Sequence, residues 1–393
     1  MFYLIGIVIT FFLVALLITK KGKTKADRIL VIWLIFIGLH LFFFYLYITD
    51  KGYSFPYYYL LGVHFPFPLV HGPFLFLYTA TITNQLWASR YSALHAIPFF
   101  SIYLLFMPFI LLPVEQKILM FKNNGQGAET LLLVLIALIM ISGVVYVALS
   151  LWLLKKYKNT LQEQFSSAEK INLAWLRYLI YAIGLTWVFV LIGNDPLIFG
   201  SAVVFVFFLG YFGIKQVGIF TQQYPMEIGL GAIVQQNSRV LSEPDLIIQS
   251  SNQSANFLET PQKVKYLRSS LGEETAREIQ KSLTKAINED RLYTNPEITL
   301  AELAQTLNVH PNNLSQVINT FEGKNFYDYI NHKRIEEFKR IVALPENQRF
   351  TLLALAHDCG FNSKTSFNRN FKNATGLSPS EYLKQIEVQL VTN

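Results

Sequence analysis

Three histidines are the side chains best able to do chemistry in the first half of the chain. His40, His64 and His71 interrupt long apolar runs, in IFIGLHLFFF, LLGVHFPFPL and PLVHGPFLFL. An ionisable group at membrane depth is costly, so each ring has two readings. It is either a neutral imidazole hydrogen-bonded between helices, or part of a ligand pocket or pH sensor. Asn194 and Asp195, followed by Pro196, read as a tight outer turn. This half has no HExxH helix, no phosphate-cradling glycine loop and no nucleophile elbow. The single cysteine, Cys359, has no partner for an internal disulfide or a zinc site. The chemistry predicted is therefore binding rather than catalysis, with no enzyme activity, no metal and no cofactor.

The elements that must position these rings are apolar helices. Hydrophobic residues make up 52% of the 393 and charged residues 15%, and the mean hydropathy of +0.34 disfavours a wholly soluble enzyme. Residues 2 to 19 form an uncharged run long enough to cross ~30 Å of hydrocarbon as a helix. The basic cluster KKGKTK follows this run rather than preceding it, so it reads as an uncleaved span and not a signal peptide. Similar runs near 29 to 48, 57 to 82, 94 to 112, 131 to 154, 178 to 194 and 197 to 214 give seven spans. The run at 57 to 82 contains Pro66, Pro68 and Pro73, which need neighbouring protein to satisfy the carbonyls they free.

Basic residues in short loops resist translocation and so set the orientation. Lys20, Lys21, Lys23, Lys25, Arg28, Arg90, Lys155, Lys156, Lys158, Lys170, Arg177 and Lys215 fall on one side, against Lys51, Lys117 and Lys122 on the other. This bias predicts an N-terminus outside and everything after Lys215 in the cytoplasm. The formal charge of +7 divides unevenly: 15 basic and 7 acidic residues up to Lys215 leave +8, and 18 basic and 19 acidic beyond it leave −1. Global charge therefore says nothing about nucleic acid.

Residues 216 to 262 turn to Gln, Asn and Ser and read as a tether, with a root-mean-square reach of roughly 35 Å. Within a connecting stretch at 263 to 291, Ala276, Ile279, Leu283 and Ile287 line one helix face. That face either packs on the domain that follows or forms a dimer seam.

The domain beyond repeats itself. TLAELAQTLNV at 299 to 309 aligns with TLLALAHDCGF at 351 to 361 at an offset of 52. The offset then becomes 53, pairing Leu314 with Phe367, Ile318 with Phe371, Gly323 with Gly376 and Tyr329 with Tyr382. A helix at about 325 to 343 separates the copies. In the first copy, Thr299 with Glu302 forms a capping box and Pro311 suits the first turn of the second helix. Asn308 tolerates the left-handed turn between the helices, and small Ala304 lets them cross closely. In the second copy Ala356, Gly360 and Phe361 take these roles, and the turn lengthens by one residue through Asn362 and Ser363. Cys359 falls where Leu307 does, which marks it as a small buried hydrophobe. Each copy is a helix-turn-helix.

Two such units joined by a long helix resemble the AraC/XylS-type transcription regulators. The resemblance covers about Leu292 to Gln385 and is strongest over LALAHDCGFNSKTSFNRNFKNATGLSPSEY. A seven-span region ahead of it resembles the membrane-bound branch of that family. The resemblance implies double-stranded DNA as partner, with base contacts from Asn312, Ser315 and Gln316 in the first recognition helix and from Lys364, Thr365 and Arg369 in the second. Gln316 can pair bidentately with adenine and Arg369 with guanine, while Lys324 and Lys372 suit phosphate contacts. The family more often has arginine where Gln316 stands. Local charge agrees: 324 to 384 holds ten basic and six acidic residues, whereas 285 to 323 sums to −3.

The expectation is an all-α protein: a seven-helix transmembrane bundle (1 to 215), a linker (216 to 262), a connecting helix (263 to 291) and a cytoplasmic double helix-turn-helix domain (292 to 387). It would sit in a bacterial inner membrane and couple a small-molecule or envelope signal to promoter binding, with a second copy and RNA polymerase as further candidate partners. Two rivals remain: a transporter or membrane enzyme with a regulatory tail, and a DNA-binding regulator whose spans only anchor it.

Overall fold

The computed structural model describes residues 1–49, 60, 62–85, 92–123, 127–167, 173–215 and 271–392, and the tether at 216 to 262 lies outside them. Among the described residues every regular element is a helix. Two compact units are present, Met1–Lys155 with Leu173–Ile248, and Lys156–Asn172 with Gln249–Asn393.

The first unit contains α1 (Phe2–Thr19), α2 (Lys25–Thr49), α3 (Pro68–Ile82), α4 (Ile97–Ile110), α5 (Val114–Lys122), most of α6 (Glu129–Gln164), α7 (Ala174–Ile192) and α8 (Asp195–Lys215). Among the described residues, six of its helical stretches are long and apolar enough to cross a membrane. The seventh expected span differs. Its described helix, α3, has 15 residues, a length of about 22 Å against the ~30 Å of a hydrocarbon core. Pro68 opens α3 and Pro73 lies inside it. Its neighbours enclose it on most sides, burying Leu69, Val70, Pro73, Leu75 and Tyr78 among others, as a proline-containing helix in an apolar medium requires.

Helices in this unit approach closely through small residues. A Cβ on Gly6 would lie 2.6 Å from Val203, and one on Gly143 would lie 2.2 Å from the Trp187 ring. At the α1–α2 turn, Lys20 and Asp27 form a buried ion pair at 3.0 Å, and the Thr24 amide donates to the same carboxylate at 2.8 Å.

The second unit holds α9 (Glu273–Asn288), α10 (Leu300–Thr306), α11 (Pro311–Glu322), α12 (Phe326–Val342), α13 (Leu352–Asp358), α14 (Lys364–Thr375) and α15 (Pro379–Thr392). It has two cores that share α12. Phe326, Tyr329 and Ile330 from its first half join α10 and α11. Ile335, Phe338 and Val342 from its second half join α13 and α14. The apolar face of α9, with Ile279, Leu283 and Ile287, is buried in the first core, so that face serves packing. Truncating a fully buried ring such as Phe338 would cost about 3–5 kcal/mol.

Arg334 ties the cores together from the middle of α12. Its side chain is 2% exposed. It donates to Tyr293 O at 2.8 Å, Asn295 O at 2.8 Å, Asn331 Oδ1 at 3.1 Å and Ser166 Oγ at 3.3 Å, and its guanidinium lies 5.8 Å from the Phe361 ring centre. A buried charge needs this many partners to offset its desolvation.

Candidate nucleic-acid interface

Both copies start from a threonine cap. Thr299 Oγ1 accepts the Glu302 amide at 3.1 Å, and Glu302 returns the contact to the Thr299 amide at 2.9 Å. Thr351 Oγ1 accepts the Ala354 amide at 3.1 Å, and alanine there can return nothing. The first helices end in left-handed turns, at Asn308 with φ 55° and Gly360 with φ 96°. The second helices of the two copies, α11 and α14, start from His310, whose Nδ1 accepts the Asn312 amide at 3.2 Å, and from Ser363, whose Oγ accepts the Ser366 amide at 3.2 Å. Both end at a left-handed glycine, Gly323 and Gly376. The helix bounds repeat at the offsets of 52 and 53 read from the residues.

Leu314, Val317 and Ile318 bury one side of α11, and Phe367, Asn370 and Phe371 one side of α14. This leaves equivalent outer stripes. On α11 the stripe is Pro311, Asn312, Ser315, Gln316, Asn319 and Thr320, with Asn312 and Thr320 exposed and the rest half-buried. On α14 it is Lys364, Thr365, Asn368, Arg369, Lys372 and Asn373, all exposed. The six expected base-contact residues therefore fall on two corresponding stripes. Lys372 lies on the second stripe, whereas half-buried Lys324 lies just beyond the Gly323 cap. Lys324 acts on His332, whose pKa is lowered mainly by burial and next by this lysine.

Arg369 is held. Its Nη2 donates to Tyr327 Oη at 2.8 Å, and Asn370 Nδ2 donates to the same oxygen at 2.8 Å. Tyr327 sits on α12 and is 3% exposed, so the helix joining the two copies sets the base of the Arg369 fork. The residue reading missed Tyr327, because a contact 42 residues away leaves no local signal. It also missed Asn368 and Asn373, which the 1, 5, 9 spacing from Lys364 and Thr365 would have found. The charges differ too: the α14 stripe carries three cations and the α11 stripe none. Cys359 is fully buried, and burial pushes its thiol up to about 12.

In the first unit the structure brings the three histidines together. His40 Nδ1 and His71 Nε2 lie 3.2 Å apart, and Trp33 Nε1 donates to His71 Nδ1 at 3.3 Å. The His64 ring centre is 5.9 Å from that of His40, and its Nδ1 is buried without a hydrogen bond. Among the described residues no group of three His, Cys, Asp or Glu side chains is placed to hold a metal ion.

Residues 303–385 match the family model described as a helix-turn-helix domain. Over 93 residues the chain is 33% identical to an uncharacterized HTH-type transcriptional regulator, YijO, of Escherichia coli (strain K12). That stretch is 24% of this chain and 32% of the relative, so the chain spans about a third of the length of that protein. A solved structure of a protein of unknown function from Listeria innocua shares 24% identity at a TM-score of 0.24, covering 27% of this chain and 94% of the other. The C-terminal part of the chain thus carries a helix-turn-helix domain, on the stretch where the AraC-type resemblance was read.

Proposed function

We propose that the chain is a membrane-tethered, non-catalytic transcription regulator that reads promoter DNA with α11 and α14. One observation carries this reading: two recognition helices in equivalent register, each with a polar outer stripe, built around one shared helix. The amides of the first stripe suit adenine edges, and Arg369 on the second suits guanine. Lys364 and Lys372 add attraction to phosphate. The name of the Escherichia coli relative supports transcription control.

Tethering is supported by the six long apolar helices, with α3 as a short seventh crossing packed among its neighbours. With seven crossings, the excess of basic residues around Lys20 to Arg28 and Lys155 to Lys158 supports a cytoplasmic helix-turn-helix domain. The histidine cluster supports a sensing role for the first unit over a passive anchor.

Immunoprecipitation of the intact chain from crosslinked cells, followed by sequencing of the bound DNA, tests the function. A shared motif among the enriched fragments is expected, and no enrichment over total DNA would overturn the reading. A reporter active only in the cytoplasm, fused after Asn393, should work; activity only of an extracytoplasmic reporter would overturn the topology.

A further inference from the structure

We infer that a cavity beside the histidine cluster binds a small uncharged organic molecule with an apolar body and one hydrogen-bond acceptor, such as a ketone or ester oxygen. The cavity lies inside the first unit and measures about 70 Å³. It is bounded by α2, α3, α7 and α8, and His40, His71, Thr186, Trp187 and Phe199 are among its walls. The remaining walls are aliphatic or aromatic apart from Pro68, and no charged side chain lines it. An ion would enter unpaired, at a large desolvation cost.

The direction of the hydrogen bonds makes the cavity selective. An indole N–H only donates, so the Nδ1 of His71 that meets Trp33 must accept. A neutral His71 then carries its proton on Nε2 and donates it to His40 Nδ1. A neutral His40 in turn carries its proton on Nε2, and that N–H has no hydrogen bond among the described residues. Its ring neighbours Phe67 and Phe199 stand edge-on with centres 5.8 and 4.9 Å away, and π faces accept only weakly. The Thr186 hydroxyl is already engaged with Ala182 O at 3.2 Å and Ser201 Oγ at 3.0 Å. An occupant therefore meets one unused donor in an apolar wall. Scaled from a 150 Å³ cavity that holds the six carbons of benzene, this one takes roughly three heavy atoms, enough for the carbonyl end of a longer molecule.

The inference deepens the sensor reading above, but binding is measured directly and apart from DNA. The probe is a short methyl ketone carrying an aliphatic diazirine, photolysed with the full chain in lipid nanodiscs and mapped by peptide mass spectrometry. Saturable labelling of the α2 and α7 segments around His40 and Trp187 is expected. 2-Butanone should compete about tenfold better than 2-methyl-1-butene, which matches its shape without the oxygen. His40→Leu should erase that preference, and His40→Gln, which keeps an N–H, should restore part of it. Should His40→Leu fail to fold, Trp33→Phe serves instead, since removing the indole frees the tautomer and should lower the preference. Equal competition by the alkene, or unsaturable labelling spread over lipid-facing helices, overturns the proposal. Occupancy of a bound promoter is read in the same preparations, so a saturable ketone site without any change in DNA occupancy keeps the site and removes only its sensing role.

Discussion

The two helix-turn-helix copies share every boundary and differ in what holds them and in what they present. The first turn, at Asn308, is exposed and left-handed. The second, at Gly360, is pressed against backbone: an added Cβ would lie 2.5 Å from Tyr293 O and 2.8 Å from Thr294 O. The first outer stripe is neutral, while the second is cationic and has its arginine fixed to α12 through Tyr327. One supersecondary unit, used twice, presents a neutral outer stripe in its first copy and a cationic stripe tied to α12 in its second. The lesson is that register and function are separable. Caps and core positions keep the repeat, and the stripe is free to diverge.

The largest expected effect separates the two turns. Gly360→Ala combines a left-handed φ with a clash against immobile carbonyls, and should cost about 3 kcal/mol or more. Asn308→Ala meets only the backbone penalty, about 1 kcal/mol. Hydrogen-exchange mass spectrometry of the full chain should show α13 and α14 losing protection in the first variant, with little change anywhere in the second. Equal losses would mean that the second turn is no better braced than the first.

Arg369→Ala should cost about 1–3 kcal/mol on a specific site and relax one base position. Tyr327→Phe leaves the guanidinium in place and removes its anchor, so it should lower discrimination at that same base and at no other. Gln316→Ala should act on the other half of the site. Binding of each variant to duplexes mutated one base pair at a time checks this, and a Tyr327→Phe effect spread evenly over both halves would sink the anchoring account.

Lys372→Ala should weaken binding to specific and scrambled duplexes alike and lower the salt slope by nearly one unit. Its counterpart Asn319→Ala should leave the slope unchanged. Salt titrations that gave both variants the same slope would erase the charge contrast between the copies.

These contrasts were unequally legible in the residues. Thr299, Glu302, Pro311, Gly323 and Gly376 announce their helix ends because caps act over three or four positions, and the duplication supplies an independent register. Both turns were readable for the same local reason, since Asn308 and Gly360 each favour the left-handed region. The grip of Tyr327 on Arg369 and the hub at Arg334 depend on chain brought together from 42 and 39 to 41 residues away, and no local pattern encodes them. The shortness of α3 was foreshadowed by its prolines. The meeting of three histidines was not, because which faces of α2 and α3 oppose each other is decided by packing.

The smallest effect belongs to pH. Glu337, on α12, is held below the ordinary carboxylate value of 4.5, first by its hydrogen bond to Arg340 and then by Arg291. A depressed carboxylate stabilises the fold above its unfolded pKa, and that contribution fades as pH falls through the folded value. Stability should therefore drop slightly below about pH 4.5, and Glu337→Gln should remove that part of the slope. Melting temperatures measured from pH 3 to 7 check it. The partly exposed setting keeps the effect small.

The most direct test of the account is a hydroxyl-radical and methylation footprint of the full chain on a promoter it selects. Two copies built into one unit should protect two major-groove segments roughly 34 Å apart, one helical turn, on one face of the duplex. Because the stripes differ, the two segments should differ in sequence, and Lys372→Ala should weaken both while Arg369→Ala alters only one. A single short protected segment, unchanged by substitutions on α11, would mean that only the second copy reads DNA, and would contradict the account.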